Sequence, residues 1–97
     1  MISSFANAGT EDVFNGTDSR AARRVCPNAL WTVARRKLDR LDAAVSLESL
    51  RVPPGNQLEA LKRDRLGQHS IRINGQFRLC FIWTPEGPQA VEIVDYH

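Results

Sequence analysis

Nothing in this sequence approaches the roughly 18 consecutive apolar residues that a membrane-spanning helix requires, so no span is expected. The opening Met1-Ile2-Ser3-Ser4-Phe5 lacks both the basic region and the apolar stretch of a signal peptide, which makes the cytoplasm the expected location. Cysteine is scarce: Cys26 and Cys80 are far apart in sequence. That excludes a disulfide framework or a CxxC metal site. Both thiols are expected to be reduced and without catalytic role, Cys80 as a small buried side chain in a strand-like run. The two histidines, His69 and His97, do not stand at i,i+4 from another ligand. No metal set and no cofactor is therefore expected. Lysine is nearly absent, since 11 of the 13 basic residues are arginine.

What is present fits one small soluble domain spanning 1–97. At this size about 60–65% of the unfolded surface is buried, around a single modest core. The net charge is only +2, so placement matters more than sum. Arginine carries a planar fork that suits phosphate and stacks on bases; a GC-rich coding bias would enrich it as well. Position has to decide between these.

The N-terminal half reads as helical. Ile2–Phe5 is a short strand candidate, Val13-Phe14 closes a short helix, and 15–19 is turn chemistry. Leu30, Ala34, Leu38, Leu41 and Val45 form a stripe at helical spacing, predicting a long helix from about Pro27 to Ala44. Its opposite faces carry Arg35, Arg36, Lys37 and Arg40 interleaved with Asp39 and Asp42, which reads as a solvated face. Ser46 is placed to cap a short second helix over Leu47–Leu50. The Pro53-Pro54 pair excludes helix at that point.

From Leu58 onward the period changes to two. Leu58–Leu61 is a short strand candidate and Lys62–Gly67 a charged connector. Ser70–Ile73 pairs with Gln76–Trp83 through Asn74-Gly75, a strong hairpin signal. A second turn over 84–88 leads to a last strand from about Gln89 to Asp95. The result is a helical half followed by an antiparallel meander, an α+β protein.

Alternation then sorts the hairpin. Phe77, Leu79, Phe81 and Trp83 take the core side, while Arg78 and Arg72 take the other and form a candidate anion site. Glu59, alternating with Leu58 and Ala60, is a further candidate for that face, with Lys62 at the mouth of its strand. The closing Asp95-Tyr96-His97 supplies an acid, a phenol and an imidazole. Strict alternation separates Asp95 from Tyr96, so joining both to the arginines needs a twist or bulge at the strand end. RNA cleavage by 2′-OH attack requires a base, an acid and cations at the phosphate. Glu59 or Asp95 fits the base, His97 the acid, and Arg72, Arg78 and Lys62 the cations, with Tyr96 stacking on a base or orienting the phosphate. Such chemistry requires no metal. A lone histidine at this position is equally well an idle surface imidazole.

The block Pro53-Pro-Gly-Asn-Gln-Leu-Glu-Ala-Leu-Lys-Arg-Asp64, then Gly67-Gln-His-Ser-Ile-Arg-Ile-Asn-Gly-Gln-Phe-Arg-Leu-Cys-Phe81, with the ending Val91-Glu-Ile-Val-Asp-Tyr-His97, resembles the HigB/GraT toxins of the RelE superfamily. The opening Ile2–Phe5 and the helix Arg35–Ala44 agree with it. This resemblance implies a microbial-ribonuclease-like α+β fold, with helices on a twisted antiparallel sheet of about four to five strands. It implies a ribosome-dependent endonuclease that cuts mRNA in the ribosomal A site and arrests growth. It also implies a HigA-type helix-turn-helix antitoxin, through which alone operator DNA is contacted. Lys62, Arg78, Asp95, Tyr96 and His97 match family motif positions, and Arg72 is a further match to the family pattern. Some members carry histidine where this chain has Glu59. Arg63 replaces the usual glycine of Lys-Gly-Asp, adding a cation and removing backbone freedom. The competing expectation is a non-catalytic RNA- or ribosome-binding module that acts mainly as its antitoxin's co-repressor.

Overall fold

The computed structural model describes residues 1–96; His97 lies outside the described residues. Three helices, α1 (Ala8–Asn15), α2 (Arg20–Val25) and α3 (Trp31–Ala43), precede four strands. These are β1 (Glu59–Ala60), β2 (His69–Arg72), β3 (Phe77–Thr84) and β4 (Gly87–Asp95), in sheet order β1-β2-β3-β4 with every neighbour antiparallel. The architecture is α+β, as the change of period from helical to alternating predicts.

Local chemistry explains the helix ends. The Asn7 side chain accepts from the Thr10 N–H at 2.9 Å and caps α1. Gly16, at φ +76°, ends that helix in the left-handed conformation that glycine adopts without steric cost. Helix α2 was not expected from sequence, because Arg20-Ala-Ala-Arg-Arg-Val25 offers no apolar stripe. It forms because Ser19 caps it, accepting from the Ala22 N–H at 3.0 Å while donating to Asp12 of α1 at 2.6 Å.

Helix α3 is shorter than the sequence stripe suggests. A 3-10 turn over Asn28–Leu30 precedes it, and Pro27 lies outside. Ala44, at ψ 131°, ends it, so Val45 leaves the stripe and is 92% exposed. Further 3-10 turns occupy Glu48–Arg51, Pro54–Asn56 and Arg63–Arg65. The Pro53-Pro54 pair therefore stops an α-helix but starts a single tight turn, which fixed proline φ values suit. Ser46 acts as expected, accepting from the Ser49 N–H.

Ala34, Leu38 and Leu41 of α3 bury against Ile71, Leu79, Phe81, Val91 and Ile93 of the sheet. Each fully buried aliphatic or aromatic side chain of this kind stabilises by about 1.5–3 kcal/mol relative to exposure. Thr10 ties α1 to the sheet from inside, its hydroxyl accepting from the Ile93 N–H at 3.1 Å. Residues 2–5 do not form a regular strand. Phe5 makes one parallel bridge to Val91, with the Ser4 carbonyl accepting from the Val91 N–H.

Two details of register decide what the far face presents. The β2–β3 turn is longer by one residue than a two-residue Asn-Gly hairpin, since Ile73 N–H donates to the Phe77 carbonyl and Arg72 stands opposite Arg78. Asn74 causes this: its side chain accepts from both Gln76 and Phe77 N–H, at 2.9 and 2.7 Å, and holds the backbone in an Asx turn. The β3–β4 pair carries a register shift between Cys80 and Ile82, where Ala90 sits at φ +52°. That bulge lies in the Gly87-proximal half of β4, not at its Asp95 end.

Candidate functional site

The helix-free face of the sheet is built from successive rows of paired residues. One row is Glu59, Ser70, Cys80 and Glu92; the next on this face is Arg72, Arg78 and Val94. Directly paired residues share a face, so the sheet itself assembles these side chains. The segment between Gln57 and Gln68 folds over part of the face: Ser70 and Cys80 are fully buried and Arg78 is 9% exposed.

Arg78 is the centre of this arrangement. Its Nε donates to Ser70 Oγ at 2.8 Å, and its Nη2 donates to the Gln57 carbonyl at 2.6 Å. Glu59 Oε1 is 3.9 Å from Nε, near enough for ion pairing but beyond hydrogen-bond length. The Tyr96 ring centroid is 6.0 Å from the guanidinium carbon, at the limit of a cation–π contact. Four residues distant in sequence thus converge on one cation. Gln57 supplies its carbonyl because the turn Pro54–Asn56 delivers it at φ +48°.

Arg72 stands opposite Arg78, half-buried. Like charges directly opposite on neighbouring strands are destabilising unless an anion joins them. The positive field extends to α3. Burial pushes the Lys37 ammonium below its ordinary value, with Arg40, Arg36 and Arg72 adding repulsion. Lys37 is held by Asn56, whose amide donates to the Leu50 and Val52 carbonyls while its oxygen accepts from Nζ.

At the other end of the face, Arg65 Nη1 donates to Gln68 at 3.0 Å and to Glu92 at 3.1 Å. This bridge lies beside Cys80, whose thiol is raised above its ordinary value mainly by burial. Cys26 is raised in the same way. Neither thiol is poised for nucleophilic work, because reactivity follows the thiolate.

The sequence-predicted residues divide. Arg78, Arg72, Glu59 and Tyr96 come together on this face. Lys62 and Arg63 are exposed and follow the end of β1. Asp95 is not brought to the arginines. It pairs in register with Phe77, on the opposite side, and accepts from Gln76 Nε2 at 3.1 Å. The strand-end twist that would have united it with Tyr96 and Arg78 is absent among the described residues, because the bulge lies elsewhere. Ser70, Gln57, Arg65 and Glu92 were not anticipated as neighbours. Alternation could have placed Ser70 and Glu92 on this face, but nothing local signals the Gln57 carbonyl.

The sequence pattern of the family described as "RelE-like toxin of type II toxin-antitoxin system HigB" matches residues 3–97. Toxin HigB-1 of Vibrio cholerae serotype O1 is 45% identical over 61 residues, 63% of this chain. The match spans 64% of that toxin, just under two thirds of its length. An uncharacterized protein of Haemophilus influenzae is 42% identical over 55 residues, 57% of this chain and 54% of its own. Among solved structures, the YoeB-YefM complex from Staphylococcus aureus covers the whole chain and 95% of the matched one, with a TM-score of 0.59 at 18% identity. At that identity the likeness is one of fold.

Proposed function

Because the chain belongs to the HigB family of RelE-like toxins of type II toxin-antitoxin systems, we propose that it is a ribosome-dependent mRNA endonuclease acting through the Arg78 face. The observation that carries this reading is Arg78 itself, a nearly buried cation anchored by Ser70 and Gln57 and bordered by Glu59 and Tyr96. A guanidinium fixed in this way is preorganised for the charge that develops on a phosphate during attack, and such preorganisation is typically the largest catalytic term.

In the proposed reaction Glu59 accepts the 2′-hydroxyl proton as the 2′ oxygen attacks phosphorus. The bond from phosphorus to the 5′ oxygen breaks, leaving a 2′,3′-cyclic phosphate, and His97 protonates the departing oxygen. Arg78 and Arg72 stabilise the equatorial oxygens. Tyr96 stacks on a base beside the scissile phosphate, and Lys62 and Arg63 hold neighbouring phosphates. Asp95 keeps the strand end in place through Gln76. The protein supplies the cationic charge itself, so the scheme needs no metal or other cofactor. The expected partners are the 70S ribosome, mRNA and a HigA-type antitoxin that alone contacts operator DNA. The likeness in fold to a chain of the YoeB-YefM complex supports a protein partner. Activity is assigned to the cytoplasm, where translating ribosomes are, and no helix of the described residues is long and apolar enough to cross a membrane.

Mapping RNA 5′ ends in cells expressing the wild type, Glu59→Ala or a His97 deletion tests the reading. New ends inside translated codons, accompanied by growth arrest and lost in the His97 deletion, are expected. Folded wild-type protein that binds ribosomes in a salt-sensitive manner without producing ends would overturn it, in favour of the non-catalytic co-repressor role.

A further inference from the structure

We infer that Ser70 is a positioning residue that keeps Arg78 aimed and keeps Glu59 from closing onto its Nε; this rests on the cleavage reading above. The inference comes from how the guanidinium is used. Nε–H and one Nη2–H lie along a single edge of the fork. Ser70 Oγ takes the first at 2.8 Å and the Gln57 carbonyl takes the second at 2.6 Å. That edge is spent on the protein. Of the remaining N–H groups, one on Nη1 and one on Nη2 form the end-on edge that grips a phosphate bidentately.

Both anchors are neutral. This matters because a carboxylate is available: Glu59 Oε1 stands 3.9 Å from the same Nε. Glu59 is also paired in register with Ser70, so the two side chains compete from adjacent strands for one donor. The hydroxyl occupies the donor, and the carboxylate remains outside hydrogen-bond length. Arg78 thus has a neutral acceptor on its Nε, and Glu59 keeps its lone pairs for a proton. Without the hydroxyl, a nearly buried N–H is left unsatisfied, an unfavourable state that closure of Glu59 onto it would relieve. One substitution would then turn the fork and disable both the cation and the base. Ser70 is fully buried and touches no substrate, so its effect passes through Arg78 alone.

The test compares Ser70→Ala, Ser70→Thr, Arg78→Lys and the Ser70→Ala/Arg78→Lys pair, using purified protein on ribosomes programmed with mRNA. Ser70→Ala is expected to lower the single-turnover cleavage rate roughly 10–100-fold, as loss of a positioning contact does, with unchanged ribosome affinity. Ser70→Thr restores the hydroxyl and most of the rate. In the Arg78→Lys background, where there is no fork to aim, Ser70→Ala adds no further loss. Equal rates for Ser70→Ala and wild type would overturn the inference, as would a Thr variant as slow as the Ala variant or full additivity in the pair. If Ser70→Ala does not fold, Ser70→Cys, close in shape with a weak acceptor, carries the same expectation. Slow solvent exchange of the Arg78 Nε–H by NMR, fast in the Ala or Cys variant and slow again in the Thr variant, reads the anchoring without catalysis. A silent wild type with this exchange pattern sinks the nuclease reading alone; a wild-type Nε–H in fast exchange sinks the positioning role.

Discussion

Arg63 shows how one side chain can oppose its own backbone. It sits at φ +56°, in the left-handed region, at the start of the 3-10 turn Arg63–Arg65. A non-glycine residue there costs roughly 1–2 kcal/mol, offset in part because glycine loses more chain entropy on folding. The departure from Lys-Gly-Asp visible in the sequence is thus a cation held at a position whose backbone favours glycine. Arg63→Gly is expected to raise unfolding free energy by about 0.5–1 kcal/mol. The same change should weaken ribosome binding and flatten its salt dependence by about one phosphate contact. Denaturant melts and binding at two salt concentrations check both halves; a less stable variant would show that Arg63 gains more from contacts than the backbone loses. Alternation sets Arg72 and Arg78 on the non-core face and separates Tyr96 from Asp95, but the meeting of Tyr96 with Arg78 depends on the β3–β4 register, which no local pattern encodes. The same register keeps Asp95 opposite Phe77.

Among the elements, the connection from Arg51 to Leu58 matters more to the site than its lack of regular structure suggests. Asn56 is completely buried and satisfies the Leu50 and Val52 carbonyls while holding Lys37. It stands immediately before Gln57, whose carbonyl anchors Arg78. Asn56→Ala would leave buried acceptors without partners and should destabilise the protein by about 2–3 kcal/mol. It should also slow cleavage beyond what the stability loss explains, since the Arg78 anchor shifts with the turn. Thermal melts alongside cleavage at a temperature where the variant is fully folded separate the two effects, and normal cleavage by folded variant would contradict the coupling. The sequence marks this segment as a turn, through Pro53-Pro54-Gly55-Asn56, but not as a buried one. Burial of Asn56 depends on α3 and the turn over Glu48–Arg51 closing around it, and no local rule encodes that. Helix α2 was missed for a related reason, because a cap and one buried alanine sustain it without a periodic stripe.

For the molecule as a whole, the two buried thiols make stability depend on pH. Burial raises both above their ordinary 9.0, so the folded state holds its thiol protons more tightly than the unfolded chain. The sign follows: this contribution is intact below pH 9.0 and declines as pH rises above it, because the unfolded state then binds fewer protons. Lys37, lowered from 10.5, acts in the opposite direction and gains stability as it deprotonates. The difference in unfolding free energy between the wild type and a Cys26→Ala, Cys80→Ala variant isolates the thiols, since Lys37 is common to both. That difference should move against the wild type between pH 8 and pH 10, as measured by urea unfolding under reducing conditions, and a constant difference would contradict it. Whole-molecule charge is less informative. A net +2 conceals a local cluster in which Arg72 stands opposite Arg78 and also lies close enough to repel Lys37 of α3.

The sequence by itself determined the class of fold and the sheet face on which Arg72 and Arg78 lie. Both follow from periodicity, which is local: a helical stripe over Ala34, Leu38 and Leu41, then alternation that puts Arg72 and Arg78 opposite the core. The motif blocks determined the family for a similar reason, since they are read residue by residue. Tertiary structure alone decided how Arg78 is held, that Glu59 stands off rather than pairing tightly, and that among the described residues no bend at the strand end undoes the alternation separating Asp95 from Tyr96. Those outcomes depend on a one-residue lengthening of the Asn74 turn, a bulge at Ala90 and a buried Asn56 presenting the next carbonyl. Each is a long-range balance of hydrogen bonds and burial, and such balances exist only once strands and helices distant in sequence have met.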